Sequence, residues 1–116
     1  MNKEQAKKLV RAKLRQEINE AYAQRNEALR KQAYISDREL TNLSTIHTVY
    51  GDISLPRNGL PGGFSRMWVA FVDDDPGANW AHACRYLVIN DEGIVWECPS
   101  TRPPSERNPF SLEAIQ

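Results

Sequence analysis

Residues 3–33 contain neither proline nor glycine, and the chain then changes character. The run is dense in Ala, Leu, Glu, Lys, Arg and Gln, the strong helix formers. Val10, Leu14 and Ile18 recur at four-residue spacing, and Ala6, Ala21, Tyr22, Ala28 and Leu29 extend the row with some drift. That pattern predicts one amphipathic helix over most of the run. At 1.5 Å per residue such a helix is about 45 Å long. The roughly 70 residues outside it and the tail would form a body with a radius of gyration of only about 11 Å. On this reading part of the apolar stripe projects beyond the body.

Charge divides at the same place. Residues 1–33 hold nine basic and four acidic side chains, a net of +5, and residues 34–116 hold six basic and eleven acidic, a net of −5. A basic arm on an acidic body points to a partner protein or to further copies of the chain. The expected contact residues are Val10, Leu14 and Ile18, flanked by Lys7 and Arg11. The stripe keeps no strict heptad, so a long autonomous coiled coil is not expected. Phosphate binding by the first turns is a weaker reading, since no aromatic side chain is interleaved for base stacking.

After residue 44 the apolar period falls from 3.6 to 2, the signal of strands. Ser36 and Glu39 have the spacing of a capping box and predict a short second helix to about residue 43. Residues 67–72, 84–89 and 94–97 read as strands, with 45–50 a less certain fourth. Asn90-Asp91-Glu92-Gly93 fits a type I turn closed by a left-handed glycine. It sets Ile89 opposite Val95, Val88 opposite Trp96 and Tyr86 opposite Cys98. One face of that hairpin is then Cys84, Tyr86, Val88, Ile94, Trp96 and Cys98, the expected core face; Arg85 and Glu97 come within diagonal reach on the other. The helix near residues 22–29 is expected to cover that second face. Four prolines between 99 and 109 predict an extended tail outside any sheet interior.

The expected architecture is therefore α+β: a long N-terminal amphipathic helix, a short second helix, and a small antiparallel sheet of three or four strands with a Pro-rich C-terminal tail. Its divisions are a basic helical arm at 1–34, a body at 35–98 and the tail at 99–116. No apolar run approaches the roughly 20 residues of a membrane span. The charged start lacks the apolar stretch of a secretory signal, so a cytoplasmic location is expected.

The densest chemistry lies in the 73–85 loop, with three carboxylates, His82, Cys84, Arg85 and Trp80, the last expected to be exposed. Asp73 and Asp75 are the candidate ligands for a hard cation, although Gly77 breaks EF-hand spacing. His82 and Cys84 are a candidate base and thiol, with His47 as a second imidazole. A Cys flanked by Tyr86 and Trp96 is more often an inert packing residue. The two His and two Cys lack zinc spacing. Cys84 and Cys98 fall on the same face of adjacent strands, diagonal in this register, and two such thiols in a cytoplasm are expected to stay reduced. No cofactor is expected. The function expected first is a non-enzymatic interaction or assembly protein that uses the basic helix to bind a partner or its own copies. A small hydrolase or metal-dependent enzyme on the 73–85 loop is the alternative.

Overall fold

The computed structural model describes residues 1–78 and 81–116, so Trp80 lies outside the described residues. Helix α1 spans Lys3–Arg25. Strands follow at Gln32–Ser36 (β1), Leu40–Thr41 (β2), Thr45–Thr48 (β3), Gly51–Ser54 (β4), Arg66–Asp73 (β5), Cys84–Asn90 (β6), Val95–Ser100 (β7) and Leu112–Ile115 (β8), with a 3-10 turn at Pro56–Asn58. The main antiparallel sheet runs β7-β6-β5-β1-β8, and β2 joins it by pairing with β5. Strands β3 and β4 form a separate two-stranded ribbon.

The fold departs from the sequence reading at several elements. The sheet is larger than three or four strands, because residues 32–36 and 112–115 both enter it. Helix α1 stops at Arg25: Asn26 adopts left-handed backbone with φ 51°, and its N–H returns to Ala21 and Tyr22. A short-side-chained Asn tolerates that conformation and closes a helix as Gly would. The second helix does not form. Ser36 is instead the last residue of β1, fully buried, and its hydroxyl accepts the Val69 N–H at 3.1 Å. Leu40 then pairs with Met67. A buried hydroxyl that completes a sheet ladder outweighs a cap exposed to water. Residues 45–48 enter the separate ribbon, not the main sheet. The tail is more than an extension, since its end supplies β8.

The β6–β7 hairpin has the register read from the sequence: Ile89 opposite Val95, Val88 opposite Trp96, Tyr86 opposite Cys98. Gly93 sits at φ 81° and donates to the Asn90 carbonyl. Strand β7 reaches further than expected and contains Pro99, which is tolerated because β7 is an edge.

The sheet has a core on each face. One contains Met67, Val69, Phe71, Tyr86 and Val88, covered by Ile46, Leu55, Phe64 and Phe110. The other contains Trp68, Ala70, Val72, Leu87, Ile89, Ala33 and Ile35, covered by the first half of α1. Val10 is 1% exposed there, beside fully buried Ala6. Small side chains on both partners (Ala6 on the helix, Ala33 and Ala70 on the sheet) let the two backbones approach. The helix covers this face from residue 6, further toward its start than residues 22–29, and it is one wall of the core. No helix among the described residues is long and apolar enough to cross a membrane.

Candidate functional site

The β5–β6 connection is built around Asp73. Its Cα partner across the ladder is Cys84. Asp73 Oδ1 accepts the Asp75 N–H at 3.0 Å and lies 2.7 Å from His82 Nε2. The Asp74 N–H donates to the Ala83 carbonyl, and the Ala78 N–H to the Asp75 carbonyl. Asp73, His82 and Cys84 line a pocket of about 210 Å³. Phe71 forms part of its wall, Thr101 and Pro103 reach it from the segment after β7, and Val49 and Tyr50 come from the β3–β4 tip. Those two tip residues are 52% and 72% exposed.

The pocket gathers His82 and Cys84 on one wall. Cys84 is 5% exposed. Burial pushes its thiol up, the Asp73 and Asp74 carboxylates add to that, and a hydrogen bond with Ser100 works against it. Burial also raises Cys98. The thiolate is the nucleophilic form, so both upward shifts work against thiol reactivity. The buried Tyr86 hydroxyl, likewise pushed up by burial, donates to the Arg102 carbonyl at 2.7 Å. His47 does not line the pocket; its Nδ1 lies 2.7 Å from Asp52 across the ribbon.

The three adjacent carboxylates take different directions. Asp73 meets His82, Asp74 meets Lys31 at 2.7 Å and Arg85 at 3.1 Å, and Asp75 is exposed. Among the described residues no three metal-ligating side chains converge. That divergence follows from the strand: Asp73 faces the side of Phe71, whereas Arg85, one residue beyond Cys84, faces the helix.

On the helix side, Arg85 is a hub. Its Nη1 donates to Glu17 at 2.6 Å and to Glu97 at 2.7 Å, and its Nη2 donates to Glu17 and Asp74. The Glu17 hydrogen bond comes first among the causes that raise the guanidinium, and the same bond holds Glu17 below the ordinary carboxylate value. Arg85 Nε is buried with no partner among the described residues. Lys13 lies 3.7 Å from Glu17 and 4.0 Å from Glu97.

This network accounts for much of the charge division. Basic residues of the first segment reach acidic residues of the rest within one chain: Lys31 to Asp74, Lys13 to Glu97, Lys3 to Glu113 at 3.0 Å. Lys7 pairs with Glu4 at 3.3 Å, and Arg11 Nε donates to the Gln116 main-chain oxygen. Of the apolar contact candidates, Val10 is sealed against the sheet, Leu14 packs half-buried beside it and Ile18 is half-buried. Tyr22, further along the helix, is 64% exposed.

The pocket residues missed from the sequence are Val49, Tyr50, Phe71, Thr101 and Pro103. Three separate segments deliver them, and no local spacing announces such a meeting. Comparison with protein-family models, curated proteins and solved structures found no match to this chain.

Proposed function

We propose that this chain is a non-enzymatic interaction protein that takes a segment of a partner protein at the pocket beside the β3–β4 tip. The observation that carries this reading is the pairing of two large, exposed side chains, Val49 and Tyr50, with a concave wall that holds a fixed carboxylate and imidazole. Exposed apolar side chains at the rim of a pocket with a few placed polar groups are the ordinary composition of a recognition site. The basic helix was the first candidate for that role. Its charges largely find partners at home, which moves the proposed contact to the tip and pocket.

A small hydrolase is the second reading, supported by Asp73, His82 and Cys84 lining one pocket. The raised, buried thiol bonded toward Ser100 ranks it lower. The test is selection of binding peptides from a random library, followed by measurement against substituted chains. Peptides that bind the native chain and lose at least about tenfold on Tyr50→Ala support the pocket, as expected for a rim aromatic. Binding lost on Leu14→Lys with Ile18→Lys, and untouched by Tyr50→Ala, would return the role to the helix. Turnover of a model ester that disappears in Cys84→Ser would overturn the non-enzymatic reading.

A further inference from the structure

We propose that the pocket at Asp73 recognises a basic side chain, a lysine or arginine of the partner segment; this rests on the pocket being the contact site. The carboxylate is oriented before any guest arrives. Among the described residues its two side-chain hydrogen-bonding contacts both fall on Oδ1, from the Asp75 N–H and from His82 Nε2. Among the described residues no donor reaches Oδ2. Its side chain is only 20% exposed, so a charge there is less screened than one on the open surface.

The walls suit the rest of such a guest. Lysine and arginine carry three or four methylenes that lie along apolar surface while the charged end seeks an acceptor. Val49, Ala81 and Pro103 supply the apolar surface. Tyr50 and Phe71 supply two rings, and aromatic faces attract cations. Asp74, the next carboxylate along the chain, is held by Lys31 and Arg85 and does not compete. Asp75 is exposed at the turn and adds negative potential outside. A volume of about 210 Å³ suits one long side chain better than a folded ligand.

The test uses the full chain, labelled with nitrogen-15, and four capped tripeptides: acetyl-Gly-X-Gly-amide with X as lysine, arginine, norleucine or citrulline. The expected result is saturable amide shifts at residues 49–50, 71–73, 81–84 and 101–102 with the two cationic peptides. The neutral isosteres should bind at least about tenfold more weakly, the usual advantage of a charge-assisted hydrogen bond. Asp73→Asn should erase the difference between lysine and norleucine. Tyr50→Ala, at an exposed position that leaves the fold intact, should weaken both cationic peptides and leave the remainder of the spectrum unchanged. Equal binding of norleucine and lysine would overturn the charge assignment while sparing the pocket as a contact site. No saturable shift at any of these residues with any peptide would overturn both.

Discussion

Replacing Arg85 with methionine tests whether the helix is fastened to the sheet by charge as well as by packing. The guanidinium bonds Glu17 of α1, Asp74 of the turn and Glu97 of β7 at once, with its side chain 9% exposed. Methionine preserves most of the stem but leaves three carboxylates facing one another, with Lys13 and Lys31 as their remaining partners. Removing one member of a buried ion pair costs about 3–5 kcal/mol. Glu17 and Glu97 are partly exposed and regain some water, so about 3 kcal/mol is the expected cost. At about 2.1 cal/mol/K of unfolding entropy per residue, a chain of this length loses roughly 12 °C in Tm. Urea unfolding followed by circular dichroism and by tryptophan fluorescence measures the loss. Adding Glu17→Gln should recover part of it, because the orphaned charge goes.

The pH dependence has a defined sign. Glu17 is held below its ordinary 4.5, chiefly by the Arg85 hydrogen bond. Its contribution is therefore present above pH 4.5 and is lost as pH falls through its lower folded value. In Arg85→Met that acid limb should flatten. A variant as stable as the native chain, with an unchanged acid limb, would show that the network merely decorates a helix held by Ala6 and Val10.

Other outcomes follow from the same structure. Deleting residues 1–20 strips the cover from Ile35, Trp68, Val72, Leu87 and Ile89, so the shortened chain should fail to give dispersed amide signals; a folded product would mean that the helix is an appendage after all. Val10→Asp should unfold the chain as well, since it places an unpaired charge at a sealed position. Both thiols should react with a disulfide reagent far more slowly in the native protein than in urea, because each is buried and shifted upward; fast native labelling of Cys84 alone would revive the thiol chemistry.

What could be read from the sequence was local. The Asn90–Gly93 turn and the alternation on either side of it define the hairpin register because a two-residue period and a glycine at positive φ admit few pairings. The helix start was equally visible, but its end was not: Asn26 is one of several polar residues in a strongly helical composition, and only the structure shows it left-handed. Strand β1 was hidden for a related reason. Its inward residues Ala33 and Ile35 need β5 and β8 on either side, and those lie far along the chain. Ser36 misled because a serine followed three residues later by glutamate describes a cap equally well when the hydroxyl is in fact committed to Val69. At the candidate site, the crowding of Asp73 and His82 was apparent. The walls from 49–50 and 101–103 were not, since the ribbon and the tail meet there only after folding.

Strand β1 lies between β5 and β8. During synthesis it emerges early, yet one neighbour follows about 35 residues later and the other about 80 residues later. Contacts so distant in sequence slow folding and prolong the exposure of apolar surface. The nascent helix has no sheet to lie on until β5 and β6 have been made. For most of its time on the ribosome the chain therefore offers an unfinished amphipathic segment to whatever binds such surfaces, and its yield in a cell should respond to chaperone supply more than its modest size suggests.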